Sequence, residues 1–127
     1  MVEAYFLYPY GRKLFDSRIE AEQYFKKEDI FTMFLIGKYE SDDGDAVETC
    51  HWFYCCEYEV IASDPELITR DYILHTTSDL SEAMQKRMEY DVMKHKMGGT
   101  KPISIYKKIT CYKEAEEIER TSWVLIA

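Results

Sequence analysis

The sequence predicts an α+β fold: a single domain over residues 1–127, with a mixed, mainly antiparallel sheet of five to six strands and two helices on one face, in the order β-α-β-β-β-α-β-β. Three observations lead there. Two segments carry apolar residues at helical spacing between cap and stop signals, whereas most other segments alternate or run aromatic and β-branched. The 127 residues, 46% of them hydrophobic, suffice for one core and not for two. A strand-helix-strand pattern occurs twice, and such units ordinarily close as right-handed crossovers that place their helices on one sheet face.

Residues 2–8 are rich in aromatic and β-branched side chains and read as a strand, stopped by Pro9, Tyr10 and Gly11. Residues 17–27 read as a helix. Ser17 and Glu20 stand in capping-box spacing, Ile19, Ala21, Tyr24 and Phe25 recur at helical intervals, and Glu22 and Lys26 pair one turn apart on the wet side. Residues 30–39 are strand-like again. In the acidic loop that follows, Asp43-Gly44 signals a hairpin, because glycine tolerates positive φ. An EF-hand frame fails on this loop, since setting Gly44 at its sixth position puts Tyr39 first and Cys50 last.

Residues 47–61 form the longest strand candidate. Its even positions (Cys50, Trp52, Tyr54, Cys56, Tyr58, Val60) are wholly apolar or aromatic, while its odd positions grow polar toward Glu57 and Glu59, as expected with one face on the core. After a turn at Ser63, Asp64 and Pro65, residues 69–76 read as a further strand. A second helix opens at Asp79, with Glu82 in capping-box spacing, and stops before Gly98, Gly99 and Pro102. Its stripe of Leu80, Ala83, Met84, Met88 and Val92 is expected in the core, where methionine fills irregular gaps. Residues 103–113 alternate, with Ile103, Ile105, Ile109 and Cys111 on one face. Residues 114–120 read as an acidic turn or short helix, and 121–127 as a terminal strand. Glu20, Ala21 and Gln23 match Glu82, Ala83 and Gln85, and Ile30, Ile36 and Tyr39 match Ile103, Ile109 and Tyr112. These few identities suggest a weak internal β-α-β duplication, residues 2–40 against 69–113.

Composition narrows the function. The longest apolar runs, such as 33–36 and 123–127, fall far short of the ~20 residues that span a bilayer, and the N-terminal residues lack a basic flank and a secretory apolar stretch. A cytoplasmic protein with no membrane contact is expected, with its four cysteines reduced. Cys50, His51, Cys55 and Cys56 resemble a metal cluster in spacing, but alternation along a strand divides them between faces, so buried thiols are the expectation and no cofactor is called for. Phosphate-loop, nucleophile-elbow and zinc-helix motifs are absent from the chain. Pairing Cys55 or Cys56 with His75 is the one enzymatic arrangement that adjacent strands suggest, and a non-enzymatic protein is expected instead.

Charge points toward a macromolecular partner. The net charge is −8, with eight bases and two acids between Lys86 and Lys113, and eight bases and twenty-two acids elsewhere. The favoured reading is a small acidic protein-binding module, concretely an inhibitor that engages a basic or nucleic-acid-binding surface of its partner, because carboxylates can occupy phosphate sites of Lys and Arg. The residues expected to carry it are Asp42, Asp43, Asp45, Glu48, Glu114, Glu116 and Glu117. Eleven tyrosines and two tryptophans would supply interface anchors. Sheet edges, the terminal strand among them, suit a homo-oligomer formed by strand pairing. The alternative is nucleic-acid binding by the basic segment 86–113, through Lys94, Lys96, Lys101, Tyr106 and Lys108.

Overall fold

A computed structural model of the chain describes residues 1–7, 10–40, 47–62, 73–96, 98, 102–114 and 117–127, with the side chains of all of these except 38–40, 47 and 48. The strands are β1 (Val2–Leu7), β2 (Gly11–Phe15), β3 (Thr32–Glu40), β4 (Val47–Ala62), β5 (Ile73–Thr77), β6 (Ile103–Lys113) and β7 (Glu117–Leu125); the helices are α1 (Arg18–Lys27) and α2 (Leu80–Lys96). The strands form a seven-stranded antiparallel sheet in the order β2-β1-β3-β4-β6-β7, with β5 also paired to β4.

The α+β class therefore holds, while the expected five to six strands, the mixed sheet and the element order are corrected. The additional strand is β2, which folds straight back on β1 from Phe6↔Gly11 to Val2↔Phe15. Because β2 takes one edge of β1, β3 takes the other, and β2 and β3 end as second neighbours on either side of β1. The expected crossover between adjacent parallel strands is thereby converted into a purely antiparallel ladder. The same sequence of elements follows again: β4 pairs β5, α2 intervenes, and β6 lies beside β4. On β4, β3 takes Val47 to Cys55 and β5 takes Tyr58 to Ile61, with a register irregularity after Val60.

Two compact units divide the chain, Met1–Cys56 with Ile109–Ser122, and Glu57–Lys108 with Trp123–Ala127. In the first unit, α1 is capped by Ser17, whose hydroxyl accepts from the Glu20 amide at 3.3 Å, and it buries Ala21 and Phe25, Phe25 lying against the Tyr54 ring at 6.0 Å. Gly37 of β3 is required by close approach, since a Cβ there would lie 2.8 Å from the Trp52 ring. In the second unit, Asp79 caps α2 through the Ser81 amide at 2.9 Å, and Tyr58, Val60, Ala83, Ile103 and Ile105 form a core flanked by Leu80 and Tyr90. The even positions of β4 are buried from Cys50 to Val60, as the alternation predicts.

One prediction fails. Of the α2 stripe only Ala83 is buried; Met84, Met88 and Val92 are 43%, 71% and 55% exposed. Tyr90, Arg87 and Lys94, which the stripe excludes, take the half-buried side instead, so the long stems of basic residues cover the core where apolar residues were expected.

Candidate functional site

The favoured acidic residues are distributed unequally. Asp42, Asp43, Asp45 and Glu116 lie outside the described residues, as does the side chain of Glu48. The strands around them are described. The β3–β4 ladder runs to the pair Glu40↔Val47, so the acidic loop leaves the sheet at that end. At the end of β6, the Glu114 amide donates to the His51 carbonyl at 2.9 Å, and the Glu114 carboxylate accepts from the His51 amide at 3.2 Å. The carboxylate also lies 3.5 Å from His51 Nδ1. His51 is the fifth residue of β4, so the turn into β7 opens about 13 Å along the strand from the start of the β3–β4 loop. The described strand ends that lead into the two acid-rich segments, Glu40 paired with Val47 and Glu114 bonded to His51, thus both lie on the N-terminal part of β4. Glu117 opens β7 and is exposed.

Glu114 takes a left-handed backbone (φ 55°), a region that side chains other than glycine and asparagine rarely adopt. Its paired bonds to His51 hold that conformation. A residue kept in a sparsely populated region by its neighbours marks a turn whose shape matters.

The basic alternative is arranged differently. Lys94 pairs with Asp91 at 3.2 Å on its own helix, and Lys86 pairs with Glu89 at 3.3 Å. Lys108 reaches Glu57 at 3.7 Å and stands 5.9 Å from the Trp123 ring centroid. Lys96 is exposed and Tyr106 is half-buried on β6; Lys101 lies outside the described residues. Lys107, next to Lys108, is 1% exposed on the same strand face as Ile105 and Ile109, so it contributes nothing to a basic surface.

Sequence reasoning missed the most elaborate polar constellation, which also belongs to the first unit. Arg18 Nε donates to the Tyr54 hydroxyl at 2.9 Å, and that hydroxyl donates to Glu22 Oε1 at 2.7 Å. The Arg18 Nη2 group bonds Glu119 at 2.9 Å and approaches Cys111 Sγ at 3.4 Å, while its guanidinium lies 4.4 Å over the Trp52 ring. Arg120 closes the cluster on Glu22. Burial, reinforced by the bond to Glu22, holds the Tyr54 phenol well above its ordinary value. Burial opposes the charge on Arg18, yet its bonds to Tyr54 and Glu119 keep it protonated more firmly than usual. The arrangement is a clamp joining α1 to β4 and β7. The i, i+4 pair Arg18 and Glu22 was its only sequence signal, because Tyr54, Glu119 and Arg120 come from distant segments.

Two of the thiols are engaged as well. Burial pushes the Cys111 thiol up, despite the nearby Arg18. Cys56 Sγ donates to the Ile30 carbonyl at 3.3 Å, and His75 Nε2 lies 3.2 Å from Glu82. Among the described residues, no group of three or more His, Cys, Asp or Glu converges as a metal site, and no helix is long and apolar enough to cross a membrane. A cleft of about 10 Å3 beside Tyr54 and Ser122 has room for one water. A larger open groove of about 330 Å3 runs between β2 and the end of α1, with Arg12 and Lys13 set against Glu28 and Asp29, so its lining favours neither sign of ligand charge.

No protein-family model, no curated protein and no solved structure matches this chain.

Proposed function

We propose that the chain is a small acidic binding module that engages a basic protein surface without making or breaking a bond. The observation that carries this reading is that the described residues leading into both acid-rich segments lie on the N-terminal part of β4, Val47 opening the strand and Glu114 being bonded to His51. Recognition of several Lys or Arg side chains needs several carboxylates on one surface, and the two acid-rich segments of the sequence are joined to strands of the same sheet. A basic groove that ordinarily holds phosphate is the matching partner surface, so inhibition of a nucleic-acid-binding protein is the concrete form of the proposal. The state of two thiols is consistent with a non-enzymatic role, since Cys111 is held away from thiolate and the Cys56 thiol is bonded to a carbonyl. Direct binding of nucleic acid by segment 86–113 is weaker on the same grounds, because Lys86, Lys94 and Lys108 are each engaged by a carboxylate.

The test replaces Asp42, Asp43 and Asp45 by Asn and, separately, Glu116 and Glu117 by Gln. Both variants should melt within a few degrees of the parent and lose salt-sensitive partners in affinity capture from native lysate. Capture unchanged by either set, or resistant to high salt, would remove the acidic end from the account. Retardation of nucleic-acid probes at low salt would favour the basic segment instead.

A further inference from the structure

The apolar stripe of α2 faces away from its own core, and its chemistry is self-complementary. Met84, Met88 and Val92 follow one another at i, i+4 and i+8, so they form a single line over two turns, and all three are exposed. Ser81, Gln85 and His95 border the line, as does Asp91, which is paired with Lys94. Its two ends differ in sign: Glu82 lies in the first turn, and Lys94, His95 and Lys96 in the last. A helix with this pattern meets a second copy of itself best when the two run antiparallel. Met88 then meets Met88, each Met84 meets the Val92 of the other copy, and each acidic first turn lies beside a basic last turn. A parallel pair would set like charges together at both ends. Opposed helix dipoles favour the antiparallel arrangement as well.

We propose that α2 is a homodimer surface, occupied by α2 of a second copy in an antiparallel, two-fold pair centred on Met88. A two-fold interface requires one patch to complement itself, which this stripe does in both shape and charge. Methionine suits such a contact because its flexible, polarizable side chain adapts to its own image. A single helix pair buries less than the usual stable interface, so the dimer is weak and concentration-dependent. The proposal is independent of the acidic end, which belongs to the first unit.

Sedimentation equilibrium over a wide concentration range tests it. The parent chain should pass from monomer to dimer, and Met88→Lys should raise the dissociation constant at least about 30-fold, the effect of removing a central anchor. Circular dichroism and melting of dilute Met88→Lys should match the parent, because Met88 touches no core. Met88→Leu should still dimerise. Lys96→Glu alone should weaken the dimer about 2- to 10-fold. A parent that stays monomeric up to about 1 mM overturns the proposal, as does a dimer indifferent to Met88→Lys. A dimer lost instead on placing proline in the outer strand β7 also overturns it, since association would then run through the sheet edge.

Discussion

The two helices of this protein invert the usual relation between hydrophobic pattern and burial. α1 has 10 residues, and it buries Phe25 and Ala21 while binding β4 and β7 through Arg18 and Glu22. α2 has 17 residues and buries Ala83 alone, leaving Met84, Met88, Val92 and Met93 outside. The difference shows that an apolar stripe does not by itself say which face of a helix meets the core. In α1 one aromatic anchor and a half-buried polar clamp do the holding. In α2 Ala83 is buried with Leu80 and Tyr90 packed beside it, and Met84, Met88 and Val92 stay exposed.

The sharpest way to break this comparison is to truncate one large apolar residue on each helix. Phe25→Ala should cost about 3–5 kcal/mol in urea unfolding, the range for deleting a buried aromatic ring. Met88→Ala, measured on dilute protein, should change stability by no more than about 0.5 kcal/mol. Comparable losses from both would show that α2 is as firmly seated as α1 and would cancel the contrast.

A smaller effect is expected where β1, β3 and β4 pack beneath α1. In Gly37→Ala, the added methyl would meet the Trp52 ring at 2.8 Å and Val2 at 3.3 Å, and the ring is also covered by Arg18. Overpacking of this kind costs about 1–3 kcal/mol, and the near-ultraviolet spectrum of Trp52 should change with it. An unchanged spectrum and midpoint would mean that the Trp52 ring moves freely, contrary to a tight first unit.

Next in size is the clamp itself. Tyr54→Phe keeps the ring against Phe25 but removes the hydroxyl that joins Arg18 to Glu22. The expected loss is about 1–2 kcal/mol, because Glu22 retains its pairing with Arg18 and Arg120. No loss at all would reduce the clamp to a surface ion network and leave Phe25 as the whole attachment of α1.

These contrasts explain which parts of the fold could be read from the residues. The alternation of β4 was legible because one face is apolar or aromatic at every position from Cys50 to Val60, and Ser17 with Glu20 located the start of α1. β2 was not, since five residues, Gly-Arg-Lys-Leu-Phe, show no alternation on an outer strand where only Phe15 is buried. Lys107 shows the limit of alternation in the other direction: its position on the apolar face of β6 predicted burial, while its charge argued for exposure, and position prevailed. Within the candidate site, acid-rich turns were visible as composition. That the residues leading into both lie on the N-terminal part of β4 was not, because it depends on β6 lying beside β4, a pairing between residues some sixty positions apart.

The finest distinction between the helices lies in how their attachments respond to acid. Arg18 and Tyr54 in the α1 clamp both hold their protons more tightly than usual, so lowering the pH leaves these two groups unchanged. At the N-terminus of α2, Glu82 has a carboxyl held below its ordinary value of 4.5 by hydrogen bonds from Thr77 and then His75. A carboxylate depressed in the folded state stabilises fully above the unfolded value, and that contribution is lost as pH falls through the folded one. Glu82→Gln should therefore be slightly less stable than the parent above pH 4.5, and the gap should close on further acidification. Because many other carboxylates titrate in the same range, the informative quantity is the difference between the two stability curves. A difference that stays constant with pH would show that Glu82 acts in α2 through packing or helix propensity, and its bonds to Thr77 and His75 would then carry no weight in seating the helix.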